Sequence, residues 1–361
     1  MGTLLMVGTR KGLWIGRSDD ARQEWSWTGP HFQMEDVYSA MIDRRRGGVR
    51  LFAGAASSWL GPQVWRSDDL GEKWDETPNG AIRFPEDADA TLARVWQLQP
   101  GVDDDVVWAG TEPGAIFRST DRGETFSLVR GLWDHPHRKE WNAGYGGQAF
   151  HTILPHPTDP DRVLAAISTG GVYTTSDGGK TWAPSNTGVK AEFMPGERFY
   201  PEFGQCVHKV ARDATDPDRL FLQNHGGVYR SDDGGATWND IAPGLPTEFG
   251  FAMVAHPHQP NTAFTFPISG AGARWPVDGK ARVYRTEDGG DSWTELGGGT
   301  LPDEFYAAVM RDAMCADDHE VAGLYVGGRN GTVFASADEG ETWREIHRDL
   351  PDVMCVRAAK I

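Results

Sequence analysis

Two stretches of the chain superimpose without gaps on a shared TDPDR. One runs from Phe150 (FHTILPHPTDPDR) and the other from Cys206 (CVHKVARDATDPDR), and together they set His151 level with His208. Imidazoles facing one space serve as general bases, or as ligands of a divalent metal ion when neutral. The same frame assigns the level position to Tyr38, Arg94, Phe251 and Ala307 in other parts of the chain. His225, in NHGGVY, and the loop residues Arg10, Lys11, Glu112 and Arg329 are expected beside them. The chemistry this suggests is acid–base work by His151, His208, His225 and Tyr38. Arg94, Arg10, Arg329 and Glu112 would bind the substrate, the arginines holding an anionic group. The alternative use of His151, His208 and His225 is to hold a divalent metal. All of this requires residues more than a hundred positions apart to share one cavity.

A repeat brings them together. Ser231, Asp233, Gly235, Thr237 and Trp238 define the frame S-x-D-x-G-x-T-W. It recurs at Asp69 (Ser67 to Trp74), Asp121 (Ser119 to Phe126), Asp177 (Thr175 to Trp182), Asp288 (Thr286 to Trp293) and Asp338 (Ser336 to Trp343). A worn copy keeps Ser18, Asp20 and Trp25 but has Arg22 where glycine belongs. The aromatic positions are 49 to 56 residues apart, a period that marks a repeat array. Each copy follows a short strand-like run such as GVYRS or AIFRS. Gly supplies the positive φ of a tight reversal, while the Asp and Ser/Thr oxygens accept backbone N–H groups. The aromatic re-enters a strand and buries its ring. These acids are therefore read as structural.

The pattern resembles the Asp-box, or bacterial neuraminidase repeat, along essentially the whole chain. The resemblance implies an all-β, sialidase-like β-propeller, a group that includes sialidases, xyloglucan-cleaving hydrolases, sortilin-like receptors and a photosystem II assembly factor. With seven copies, the expectation is a single domain over residues 1–361. It would be a seven-bladed propeller of four-stranded antiparallel blades, with function at the channel mouth opposite the Asp-box hairpins. The first repeat lacks its innermost strand, and the terminal MCVRAAKI is a spare one. That strand should complete the first blade and close the ring, so its removal should unfold the protein. The longest insertions, 133–148 and 190–205, should roof the mouth, and 270–280 should form a further wall. The sialidase Arg-Ile-Pro signature is missing ahead of the first copy, so true sialidase activity is not expected.

Bulk properties narrow the partners. The net charge of −17 disfavours nucleic acid and anionic membrane surfaces. Cys206, Cys315 and Cys355 are odd in number and scattered, which disfavours a disulfide framework. The start, MGTLLMVGTRKGLWIG, reads as a strand rather than a signal peptide, and a cytoplasmic location is expected. The acidic run Asp103–Asp105 reads as a solvated turn. Two functional classes remain. One is a glycoside hydrolase or lyase acting on a small, polar, carbohydrate-like and perhaps anionic substrate. The other is a non-catalytic scaffold that grips a ligand or protein partner.

Overall fold

Short apolar runs punctuated by glycine become strands, and consecutive strands pair with one another. The computed structural model describes residues 2–59, 61–76, 82–143, 147–191, 193, 199–270 and 272–361. Strands β1 (Gly2–Thr9), β2 (Gly12–Asp19) and β3 (Ser26–His31) open the chain. The first four-stranded sheet follows with β4 (Asp36–Asp43), β5 (Arg50–Ser57), β6 (Gly61–Ser67) and β7 (Asp75–Glu76). Next come β8 (Arg94–Pro100), β9 (Val107–Glu112), β10 (Ala115–Ser119) and β11 (Ser127–Leu128). The third sheet is β12 (Phe150–Pro155), β13 (Val163–Ile167), β14 (Gly171–Thr175) and β15 (Ala183–Pro184). The fourth is β16 (Val207–Arg212), β17 (Leu220–Asn224), β18 (Val228–Ser231) and β19 (Asn239–Asp240). The fifth is β20 (Gly250–Ala255), β21 (Ala263–Pro267), β22 (Val283–Thr286) and β23 (Thr294–Leu296). The chain ends with β24 (Val309–Ala316), β25 (Leu324–Gly328), β26 (Val333–Ser336), β27 (Arg344–His347) and β28 (Val353–Lys360).

Beyond the five sheets of four, one sheet has eight strands in the order β27-β26-β25-β24-β28-β1-β2-β3. β28 lies antiparallel to β1, from Thr3 opposite Lys360 to Val7 opposite Val356. Its link to β24 is a single parallel pair, Asp312 with Cys355, which is what merges two groups of four into eight. Among the described residues no helix is long and apolar enough to cross a membrane.

The second strand of each sheet is covered on both faces by its neighbours, so it reads as an unbroken buried run, as in VLAAI of β13. Aromatic residues fill the space between sheets. Phe52 of β5, for example, packs with Val107, Ala109 and Phe117 of the following sheet.

The S-x-D-x-G-x-T-W turns repeat one hydrogen-bond pattern. Ser231 Oγ donates to Asp233 Oδ1 at 2.8 Å and accepts from Gly235 N at 2.8 Å. Asp233 then accepts Thr237 N at 2.9 Å and Thr237 Oγ1 at 2.6 Å. Asp69, Asp121, Asp177, Asp288 and Asp338 each accept from the backbone N–H four residues on, at 2.9 Å in every case. The turn needs two successive left-handed residues, and Gly234 (φ 71°) with Gly235 (φ 98°) supplies them. Where Gly-Gly is absent, a side-chain residue takes the first of these positions, as Leu70, Arg122 and Glu339 do.

The worn copy differs in two ways. The carboxylate that caps it is Asp19, not Asp20, accepting from the N–H groups of Ala21 and Arg22 at 3.1 Å each. Arg22 takes φ 55° and sends its guanidinium to Asp317 at 3.1 Å and to the carbonyls of Val321 and Ala337. A long-range ion pair thus stands where the missing glycine was expected. The acidic run is likewise paired rather than merely solvated: Arg46 contacts Asp104 at 3.6 Å and Asp105 at 2.7 Å.

One further regularity positions the site. The strands β4, β8, β12, β16, β20, β24 and β28 each break register at the same end. The breaks fall around Tyr38, Trp96, His151, His208, Phe251, residues 310–313 and Met354. A bulge of this kind bends the strand and re-aims a side chain.

Candidate functional site

A cavity of about 670 Å³ opens beside these bulges. Tyr38, Trp96, His208, Phe251, Arg311 and Met354 all face it, so one backbone device delivers a different side chain from each strand. The loops that connect second to third strands add Arg10, Glu112, His225, Arg274 and Arg329. Phe193, from the 190–205 insertion, and Asn142 and Gly147, from the 133–148 insertion, also line it. Residues 144–146, 192 and 194–198 of those two insertions lie outside the described residues.

His151 is not part of this lining. It sits at the bulge of β12 yet is wholly buried. Its Nε2–H donates to Val207 O at 2.9 Å, and Nδ1 lies 3.1 Å from Thr152 Oγ1. Nε2 ties β12 to β16 and Nδ1 is engaged within β12, so both nitrogens are taken and the imidazole expected as a base or metal ligand is a strut between sheets. His208 makes the analogous tie with its other nitrogen. Nδ1 lies 2.5 Å from Gly250 O, and a carbonyl can only accept, so the proton is on Nδ1. Nε2 therefore keeps its lone pair and points at Cys206 Sγ, 3.6 Å away. Burial first, then the Arg311 charge, holds the pKa of His208 well below the usual histidine value, so it is neutral at pH 7. His151 is depressed in the same way by burial, with Arg311 and Lys209 adding to it.

Metal-ligand geometry is likewise met by a different trio from the one expected. Cys206, His208 and His225 place their ligand atoms within 4.8 Å of one another, with Cys206 in place of His151. One thiol and two imidazoles suit a soft or borderline divalent ion. Against that, burial raises the Cys206 pKa, which the charges of Arg311 and Arg274 only partly offset, and those same charges repel a dication.

The arginines divide into two groups. Arg94 donates to Glu112 Oε2 at 2.9 Å, and the Trp96 indole donates to the same oxygen at 3.0 Å. Arg329 holds Asp352 at 3.0 and 2.5 Å, and Arg10 lies 3.7 Å from Asp36 and 3.8 Å from Asp352. The three arginines expected to bind substrate therefore already have carboxylate partners. Arg311 and Arg274 have none within ion-pair distance among the described residues. Arg311 was missed because the break in β24 spans residues 310–313, and the alignment had set Ala307 in its place. The same error of register put Arg94 where Trp96 stands. The polar pair Arg311-Asp312 inside an apolar strand was the available signal.

Tyr38 lies under two guanidinium groups, Arg94 at 5.2 Å and Arg10 at 5.9 Å from its ring centre. Burial raises its pKa against the pull of those charges. Among the described residues its hydroxyl has no hydrogen bond to a carboxylate, so nothing removes its proton at neutral pH. Glu112 is the only carboxylate among the described lining residues. Around the mouth, on connections at the same end of the sheets, Trp59, Tyr200, Trp275 and Tyr306 expose their rings.

No family model matches the chain. Over 209 residues it is 26% identical to the oligoxyloglucan-reducing end-specific xyloglucanase of Emericella nidulans, covering 56% of this chain and 24% of that one. Over 269 residues it is 26% identical to a xyloglucanase from a Paenibacillus species, covering 66% and 24%. A 92-residue stretch is 35% identical to vacuolar protein sorting/targeting protein 10 of Fusarium vanettenii, covering 25% and 5%. The chain thus spans about a quarter of the length of the two xyloglucanases. Among solved structures, an ancestral GH74 enzyme superimposes with a TM-score of 0.57 at 17% identity, covering 86% of this chain and 38% of that one. YCF48 bound to D1 peptide superimposes with a TM-score of 0.51 at 14% identity, covering 86% and 81%. With the sheet order above, these likenesses show a β-propeller.

Proposed function

We propose that this protein is a carbohydrate-active propeller enzyme, a glycoside hydrolase whose substrate enters the cavity between the bulged strands. The observation that carries this reading is the wall itself: Trp96, Tyr38, Phe249 and Phe251 inside, with exposed aromatic rings around the mouth on the same side. Flat apolar faces interspersed with fixed polar groups suit a sugar ring. The similarity to xyloglucanases supports the same class of ligand.

In this reading the whole chain is one Asp-box propeller of seven blades. The first blade consists of β28, β1, β2 and β3. The pairing of β28 with β1 and its contacts with both β24 and β4 support closure by the terminal strand.

Glu112 is the catalytic carboxylate. Its Oε2 takes N–H groups from Arg94 and Trp96, which orient it, while Oε1 lies toward Gly147 at the cavity wall. A carboxylate held by two N–H donors is placed to activate water or to attack the anomeric carbon. His208, with Nε2 unprotonated, is a second proton acceptor in the same space. The site works without a resident metal. A dication at Cys206, His208 and His225 would have to displace the proton of a buried thiol and sit beside two guanidinium charges.

The test is turnover of a panel of oligosaccharides and aryl glycosides by the wild type and Glu112→Gln. Activity that falls at least ~100-fold in the variant with its fold intact, and that persists after chelation, supports the reading. The presence of a single carboxylate favours a second reading, a binding module without turnover. That reading takes over if wild type and variant bind sugar equally well and neither cleaves any.

A further inference from the structure

The cavity is a positive well in a strongly acidic protein. The chain carries a net charge of −17, yet among the described residues five arginines line this one space against a single lining carboxylate. Three of the five are balanced by Glu112, Asp36 and Asp352, as described above. Arg311 and Arg274 are not, and they lie close enough for each to act on the other's charge.

Arg311 is the sharper case. Its exposure is 5%, and its one hydrogen bond among the described residues runs from Nη2 to Ser168 Oγ at 3.2 Å. Nε is buried with no partner. The rings of Phe251, at 5.2 Å, and Trp96, at 5.8 Å, lie against the guanidinium. Two rings on a planar cation leave its in-plane N–H groups for a ligand. Arg274 reaches the same Phe251 ring from the 270–280 loop, at 5.9 Å.

The layer beneath adds charge of the same sign. Lys209 lies 2.8 Å from Asp312, and Arg357 pairs with the same carboxylate, so two buried cations share one buried anion. Burying a charge without a partner is costly, and a protein keeps such a group where a ligand supplies the counter-charge. Field lines from a low-dielectric well also draw anions past an acidic surface.

We propose that Arg311 and Arg274 form a clamp for the carboxylate of an acidic sugar, so that the ligand is a uronic-acid-type glycoside rather than a neutral one. The carbohydrate part rests on the reading above; the clamp is a separate claim about charge. A planar guanidinium presented edge-on matches a carboxylate bidentately, and the aromatic wall beside it takes the sugar ring.

The experiment is titration calorimetry and thermal unfolding of the full chain with sodium D-glucuronate, D-glucose and sodium sulfate. Wild type, Arg274→Ala and Arg311→Lys are compared. The proposal expects glucuronate to bind at least ~10-fold more tightly than glucose or sulfate and to raise the unfolding temperature. Arg274→Ala should weaken glucuronate at least ~10-fold while leaving glucose unchanged. Arg311→Lys keeps the charge but loses the planar fork, and should weaken it comparably. If Arg311→Lys does not fold, Arg274→Ala, at a partly exposed loop position, carries the test alone. Equal affinity for glucuronate and glucose overturns the proposal, as does glucuronate binding that Arg274→Ala leaves unaltered. Sulfate binding as tightly as glucuronate overturns it too, by making the site one for any small oxyanion. Because binding is read without turnover, the two claims fail separately. Glucuronate held but no glycoside cleaved removes the hydrolase reading alone. Neutral glycosides cleaved with no preference for the acid removes the clamp alone.

Discussion

The turn edge of the sheets and the cavity edge are built on opposite plans. At the turn edge the same side chains recur, Ser or Thr, then Asp, then Gly, and each repeats the same hydrogen bonds. At the cavity edge the same backbone irregularity recurs, but the side chain it delivers changes from Tyr38 to Trp96 to His208 to Phe251. Recurrent residues mark what every sheet needs in order to fold. A recurrent backbone with changing residues marks what the sheets divide among themselves, and that is where a ligand is read.

Arg22 tests the turn edge most severely, because there a long-range ion pair has replaced the local glycine. Arg22→Ala leaves Asp317 buried with its charge uncompensated, apart from the N–H groups of His319 and Gly323 and the Tyr325 hydroxyl. Loss of one partner of a buried pair costs about 3–5 kcal/mol. Denaturant unfolding should show it, with ligand affinity unchanged in the surviving folded protein. Altered affinity would show that the two edges are not independent.

The two histidines test the cavity edge. His151→Ala should cost about 2–4 kcal/mol of stability through a lost inter-sheet tie and a void, with little effect on ligand binding. His208→Ala should lower ligand affinity or turnover as well. Both imidazoles are kept neutral by burial, whereas the unfolded chain takes up a proton near pH 6.5. Their contribution is therefore complete above about pH 6.5 and is lost as pH falls below it, by about 1.4 kcal/mol per pH unit for each group. Urea midpoints measured from pH 8 to pH 5 check the slope, to which the lowered pKa values of His31, His135, His156, His256 and His319 add in the same direction, and His151→Ala should make it shallower.

The smallest effect is expected at a single turn. Asp233→Ala removes three accepted hydrogen bonds at a largely exposed site and should cost about 1–2 kcal/mol. Acid acts on these turns together. Hydrogen bonds, chiefly from the Ser292 hydroxyl, hold the Asp288 pKa down at about 2, below the ordinary aspartate value of 3.8. Its contribution is present above about pH 4 and fades toward pH 2. A turn variant that changed ligand affinity would undo the contrast between the edges.

The turns were legible because their chemistry is local: five residues within eight positions specify the reversal, whatever surrounds it. The general location of the cavity was legible from the repeat. The identity of its charged groups was not, because one extra residue in a strand moves every later side chain, and nothing in the spacing reveals a bulge. Arg94 was read for Trp96 and Ala307 for Arg311 on that account. Partnering was hidden as well. Arg329 and Asp352 are separated by a whole hairpin, and only the folded chain shows that their charges cancel.

The pairing of β1 with β28 has a consequence for synthesis. The backbone of Gly2 is hydrogen-bonded in both directions to Ile361, so β1, once paired with β2, finds its other neighbour only after β28 has been made. Until then Leu4, Leu5 and Met6 have an open flank that invites other chains. Nascent-chain capture by chaperones should therefore persist until β28 is available, and a stall just before that strand should be more hazardous than one just after it.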